Sequence, residues 1–561
     1  MRGFATCMVA LVGVVAGRRK FLMNGESKIV ESPYVLEQPI DTKQKTRLCT
    51  VTVFDKVQFT EWNEPVWETV DLEECGQRPN EWGMVVVDLQ GRVGGRQFDR
   101  FGAMWVNNSE VLRLTTPEPH HPGNISWTLS RDLTEYTHLF SDRFIRAGMV
   151  IPNVVNEKYT GVLELTVTLS IYYRWIPDVQ PMIPYVSSLA IANESDPLNS
   201  IKVFGDNVYN GEIKLPIKNA GQVYLDVYAT GHGKEEFYYS DQGNDTTPFR
   251  EIVVYVDGEP YFGQIPFPVV YTGGINPGLW RPISGILSFQ VEPYRFDLSP
   301  FVGVLNDGHP HNISVAIAGV GKTPDGYWFV DAVLIAYPSI ECSSISGDLQ
   351  DINTNFHIPT VVPNKRNVSK TLKQNFVGST VYCMKAENET RMRYRTESYV
   401  KFRNHMDDTS FWHVVQAKES STCGFLPKVV LSRKYKLSGF VIETDDSIKV
   451  PKLTQQRDIS YTFHDKSVGH NTIKWENNYD GEAYYSITPH VPSTSRADAS
   501  FVASCSKTGG YSHPISVQEY SQANGTTTKS ITYSNGAKLY AHLNICGNSL
   551  CGWRNFVYHN L

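Results

Sequence analysis

The chain has 561 residues, enough for several hydrophobic cores at about 100 to 200 residues per domain. With 52 Lys and Arg against 58 Asp and Glu its net charge is −6, and no basic run is interleaved with aromatics, so the footprint of a nucleic-acid binder is missing. Nucleic acid is therefore excluded as an expected partner.

Residues Phe4 to Gly17 form an apolar run after Met1-Arg2, and Arg18, Arg19 and Lys20 follow it. The run suits a signal segment, assigned here to 1–22, and is short for a membrane span. The basic cluster favours the opposite orientation, so a membrane partner is expected only through an uncleaved anchor there. Two counts point to the secretory pathway, and thus to a secreted, lumenal, vacuolar or lysosomal protein. Asn-X-Ser/Thr acceptors occur at Asn107, Asn124, Asn193, Asn244, Asn312, Asn367, Asn388 and Asn524, each a possible glycan attachment point. Beyond Cys7 there remain Cys49, Cys75, Cys342, Cys383, Cys423, Cys505, Cys546 and Cys551. An even number without CxxC pairs or a His cluster argues for disulfides over metal, with connectivity open.

Short Val/Ile/Tyr/Thr runs bounded by Gly, Pro, Asn and Asp predict an all-β protein. Strands are expected in "CTVTVFDKVQF", "MVVVDL", "GVLELTVTLSIYY", "QVYLDVYA", "REIVVYVDG", "ILSFQVE", "ISVAIAG" and "WFVDAVLIAY". In "GVLELTVTLSIYY", Leu163, Leu165, Val167, Leu169, Ile171 and Tyr173 share one face, opposite Glu164, Thr166, Thr168 and Ser170, so one side is expected to pack inward. "WTLSRDLTEYTHLF" and "YRFDLSPFVGVL" share an Asp-Leu-Ser/Thr pattern, with Asp132 and Asp297 one domain length apart. Two tandem jelly-roll-like sandwiches follow as the expectation, at 45–178 and 190–340. The Pro-rich "WIPDVQPMIPYV" is expected to join them. A polar stretch from Ser339 to about Ser379 marks a second boundary, and 341–561 is read as a further cysteine-rich β domain.

Three stretches can carry chemistry. In "GGRQFDRFGAMWV", read as extended, Asp99 shares a face with Phe101, Ala103 and Trp105, while Arg100 lies with Met104 and Val106. An acid on an aromatic face needs a reason, although Asp-Arg pairs more often serve structure. "YATGHGKEEFYYS" places His232, Lys234, Glu235 and Glu236 beside Phe237, Tyr238 and Tyr239; adjacent Glu residues are usually solvated. Two carboxylates in different aromatic surroundings can be driven to different pKa values, as hydrolysis requires. "FPVVYTGGINPGLWRPISG" offers a Gly pair, Asn276, Trp280 and Arg281, groups suited to the flat face and polar rim of a sugar, although a Trp more often plugs a core. "HPH" at His309 to His311 and the pair His120-His121 read as loops. No motif requires a metal or cofactor.

Taken together, "FDRFGAMWVNNSEVLR", "YTGVLELTVTLSIYY", "GHGKEEFYYS", "FPVVYTGGINPGLWRPI" and "YWFVDAVLIAY" resemble the peptide-N-glycosidase A family, the acid peptide:N-glycan amidases of plants and fungi. A fainter resemblance reaches the bacterial peptide:N-glycosidase of two jelly rolls. It implies that Asp99 in "FDRF" and Glu236 in "EEFYY" are the catalytic acids. It also implies that Arg100, Trp280 and Arg281 bind substrate, and His232 and Asn276, from the motifs themselves, are expected to join Asn153 and these as substrate contacts. The third bacterial acid has no acidic match in "GMVIPNVVNEKYTG", where the nearest polar residue is Asn153; with a neutral residue there, core α1,3-fucose is expected to be tolerated. The implied activity is release of N-linked glycans from glycopeptides and denatured glycoproteins with conversion of Asn to Asp, and processing into two associated chains is an expectation that goes with it. A glycoside hydrolase acting on N-glycans, or a non-catalytic glycan-binding β protein, are the alternatives, since paired carboxylates and aromatics serve both.

Overall fold

The computed structural model describes most of residues 30–533. Outside the description lie 1–29, 34–39, 175–182, 241–247, 276, 281–282, 355–366, 485–493, 508–512 and 534–561, with a few shorter segments. The leader, most of the Pro-rich joint, Asn276, Arg281, Asn244, Asn524, Cys546 and Cys551 therefore fall outside it. Among the described residues no helix is long and apolar enough to cross a membrane.

The protein is nearly all β. In the first unit Arg47–Phe59, Leu163–Tyr173, Trp82–Gly94 and Asn124–Asp132 pair side by side, facing a sheet of Val66–Asp71, Phe144–Val150, Phe101–Val106 and Ser109–Thr115. In the second, Tyr185–Ser188, Gly326–Pro338, Ala220–Gly233 and Tyr294–Asp297 form one sheet, and Tyr209–Ile213, His311–Ala318, Glu251–Val256 and Glu259–Gln264 the other. Counting these strands along each unit, both have the neighbour order 1-8-3-6 in one sheet and 2-7-4-5 in the other. We read this repeated order as jelly-roll connectivity. The sequence echo falls at equivalent places. Asp132 and Asp297 each end the sixth strand, and each accepts a backbone N–H from the residue two places on, Thr134 and Ser299, at the head of a 3₁₀ turn.

Alternation holds through Leu163, Leu165, Val167, Leu169 and Ile171, all buried in the first core. It fails at the strand's end, where Tyr173 is 45% exposed and Tyr172 is buried with Met84, Val86 and Ile40 in a small layer on the opposite face. Glu164 is also buried, satisfied by Gln58 and Arg92. Of "ILSFQVE" only Gln290–Val291 is a strand, and it pairs with Ser109–Thr115 of the first unit.

Ser344–Asn353 begins a ten-stranded sheet in which each strand pairs with the next, out to Thr526–Tyr533. Phe402, Phe411, Tyr435, Leu437, Leu453 and Tyr479 on its inward face join the same core as Phe249, Phe267 and Trp280 of the second unit. Disulfides link Cys49 to Cys75 and Cys342 to Cys383, whereas Cys423 is a buried free thiol. Even-number reasoning placed Cys423 in a pair; burial in a packed sheet accounts for it as a small apolar side chain instead. Among the glycan acceptors, Asn107, Asn193, Asn312 and Asn388 are exposed and Asn124 is half-buried. Asn367 lies in a strand, with its side chain outside the description.

Candidate active site

The two sandwiches meet through the sheet that carries Phe101–Val106. Because side chains alternate, Met104 and Val106 enter the first core, and Phe101, Ala103 and Trp105 enter that of the second unit. Trp105 Nε1 donates to Asp331 Oδ2 at 2.7 Å, and Tyr209 donates to the other oxygen of Asp331 at 2.6 Å. Arg113, opposite Ala103, donates bidentately to Glu110 and reaches the Phe329 carbonyl at 2.6 Å. Every polar group named here is buried. Such groups are tolerated only when paired, so the seam is fixed in register.

Asp99 and Arg100 lie just before this strand, in a loop rather than within it. The loop is braced from below by Gln97, whose Nε2 donates to the carbonyls of Val154 and Gly161 and whose Oε1 accepts from Arg100 Nη2 at 2.6 Å. Arg100 also lies over the Phe98 ring, and its backbone is tied to Thr116 by two hydrogen bonds. Asp99 thus emerges at the seam, half-buried, accepting the Gly273 N–H on Oδ2 at 2.9 Å. Burial raises its pKa, while the Gly273 N–H and the Arg100 charge pull it back.

The adjacent glutamates have opposite fates. Glu235 is buried, held bidentately by Arg250 and bonded by Trp328 Nε1 at 2.9 Å. Glu236 is half-buried at the seam. Burial, with a contribution from the Asp99 charge, pushes its pKa up to about 7. Its own charge raises the pKa values of Tyr239, Tyr271 and Tyr327, so the carboxyl is walled by tyrosines. His232 stacks between Tyr271 and Tyr327, its Nε2 lies 2.8 Å from Thr230 Oγ1, and burial drives its pKa down to about 3. It is a neutral imidazole in an aromatic box.

Two expected sugar contacts are corrected. Trp280 is 3% exposed: its ring packs against Tyr479, and its Nε1 donates to the Gly274 carbonyl. It plugs a core. Asn153 is 0% exposed and donates to the carbonyls of Phe59 and Gly161; it braces the Asp99 loop because a polar residue beneath a turn is needed for free carbonyls. The fucose expectation loses its basis with it.

One acid escaped sequence reading. Glu118 follows Ser109–Thr115, and its N–H donates to Thr272 Oγ1. A Cβ on Gly273 would stand 2.2 Å from Glu118 Oε2 and 2.6 Å from Asp99 Oδ1. The two carboxylates thus approach within roughly 5 Å, the range over which like charges resist joint ionisation. A side chain at position 273 would have to push one of the two carboxylates aside.

Residues 38–355 match the family model described as Peptide N-acetyl-beta-D-glucosaminyl asparaginase amidase A. A curated relative from Prunus dulcis, peptide-N4-(N-acetyl-beta-glucosaminyl)asparagine amidase A, is 31% identical over 344 residues, which is 56% of this chain and 58% of the relative. This chain thus spans a little over half of that protein's length. Solved structures similar to it include recombinant peptide:N-glycanase F, at 15% identity over 52% of this chain and 95% of that one, with a TM-score of 0.36. PNGF-II is 16% identical over 52% and 65%, with a TM-score of 0.37. Scores so low leave the fold to be judged from its own strand order. The family match spans more than half of the chain and covers Asp99, Glu118 and Glu236, so the chain belongs to the peptide N-acetyl-beta-D-glucosaminyl asparaginase amidase A family.

Proposed function

We propose that this chain hydrolyses the amide joining an Asn side chain to the first N-acetylglucosamine of an N-linked glycan, on glycopeptides and denatured glycoproteins. The observation that carries the reading is that Asp99 from one sandwich and Glu236 from the other lie close enough across the seam for the charge of Asp99 to raise the pKa of Glu236. Water attacks the amide carbonyl and gives its proton to ionised Asp99. Protonated Glu236 donates to the departing nitrogen. The products are an Asp-containing peptide and a glycosylamine, which water later converts to free sugar and ammonia. Arg100 and His232 are assigned to hold the sugar or peptide at the rim, and Glu118 to tune Asp99 by its negative charge. Passage through the secretory pathway, with glycans on the exposed acceptors, belongs to the same reading.

A digest of one defined glycopeptide in heavy-oxygen water tests it. The released peptide is expected to carry Asp with one heavy oxygen, whereas a peptide that keeps Asn with a sugar attached would make the protein a glycosidase.

The protonation states fix the pH dependence. Activity needs Asp99 ionised, so it falls as pH drops through a pKa raised above the ordinary Asp value. It needs Glu236 protonated, so it also falls as pH rises through about 7. Glu236→Gln is expected to slow turnover and to abolish the alkaline limb; a variant retaining that limb contradicts the role of Glu236.

A further inference from the structure

The loop that supplies the Gly273 N–H is under strain. Ile275 has φ 62° and Leu287 has φ 61°, a region that non-glycine residues, β-branched ones above all, avoid unless their surroundings impose it. What imposes it comes largely from the C-terminal sheet. Tyr479 packs its ring on Trp280 at 5.0 Å and donates its hydroxyl to the Leu279 carbonyl. Gln455, fully buried, accepts the Ile286 N–H at 3.0 Å. Trp280 in turn donates Nε1–H to the Gly274 carbonyl at 2.9 Å, next to the residue whose N–H meets Asp99. Simple covering of an apolar surface needs none of these polar contacts with the loop backbone.

We infer that the C-terminal sheet is a positioning element of the active site, with Tyr479 and Gln455 holding Trp280 and its loop so that Gly273 presents its N–H to Asp99. The inference rests on the functional reading above for its kinetic consequences, but the geometry it invokes does not. Tyr479 and Trp280 are positioning residues, since neither reaches the cleft. The Gly273 N–H favours the ionised form of Asp99. Loosening the loop therefore raises the Asp99 pKa and moves the acid limb of activity to higher pH.

The test uses the full chain and three substitutions. Trp280→Phe keeps a ring but deletes the donor to Gly274, Tyr479→Leu deletes the ring beneath it, and Tyr479→Phe deletes only the hydroxyl. Trp280→Phe and Tyr479→Leu are expected to lower kcat by about ten- to a hundredfold, since small misplacements of a reacting group carry that cost. KM should stay within about threefold, and the acid limb should move upward. Tyr479→Phe, the variant least able to disturb folding, should lower kcat by about threefold with the same direction of shift. Folded variants with wild-type kcat and an unmoved acid limb overturn the inference, even if their melting points fall. Should the wild-type chain release no glycan, the functional reading fails alone. The titration of the Asp99 carboxyl, read as the infrared difference between wild type and Asp99→Asn, then decides: a higher pKa in Trp280→Phe supports the inference, and an unchanged one overturns it.

Discussion

Asp99→Asn is expected to keep the fold, with a melting point within a few degrees of wild type, and to lower kcat/KM by at least about 100-fold. The side chain is nearly isosteric, and its amide oxygen can still accept the Gly273 N–H that Asp99 Oδ2 now accepts at 2.9 Å. The other position, now Oδ1 near Glu118, would hold an NH₂ facing a carboxylate instead of two like charges in proximity. Burial already disfavours the charge on Asp99, so removing it costs little stability and can add some. What is lost is the only role proposed for the group, taking the proton of the attacking water. Melting curves and single-turnover release from a glycopeptide check both halves together. A folded, active Asn variant rejects the assignment.

Much of this arrangement was legible locally. Period-two alternation separates Phe101, Ala103 and Trp105 from Met104 and Val106, and the structure sends the two sets into different cores. Extended alternation carried back to Asp99 overruns the strand, which begins at Phe101, and Asp99 belongs to the loop that Gln97 braces. The rest depends on contacts that composition does not record. Trp280 has the surroundings of a sugar platform in sequence, yet Tyr479, some two hundred residues later, covers it. Asn153 is polar in a polar stretch, yet two carbonyls beneath a turn claim its amide. Glu118 stands between Pro117 and Pro119 with no motif around it. Its relevance comes from Thr272 and Gly273 docking across the seam, and Gly273 is the signal the sequence offers, a glycine where segments of the two units approach closely.

The adjacent Glu235 and Glu236, one fully buried and ion-paired and the other half-buried at the seam, yield the sharpest stability contrast. Glu235→Gln is expected to destabilise the second unit by about 3 to 5 kcal/mol, because it takes the negative charge out of a buried, bidentate ion pair with Arg250. That corresponds to a fall of roughly 10 °C in melting point for a unit of this size. Both partners are almost wholly inaccessible, at 0% and 3% side-chain exposure, so water cannot replace the lost charge. Trp328 would still find an acceptor in the glutamine oxygen, and the damage is confined to the ion pair. Glu236→Gln should behave in the opposite way. Its carboxyl already resists ionisation, with a pKa pushed to about 7 chiefly by burial. A neutral amide therefore removes a desolvation cost that builds as pH rises above the ordinary Glu pKa and is full above about 7, so the variant is expected to lose no stability and to gain some at neutral pH. Its effect is expected on turnover, by at least about tenfold, through loss of the proton given to the leaving nitrogen. Chemical denaturation and kcat measured on both variants separate the two roles. Equal stability losses at the two positions would mean that Glu236 is also structural, and its placement as the proton donor would fall.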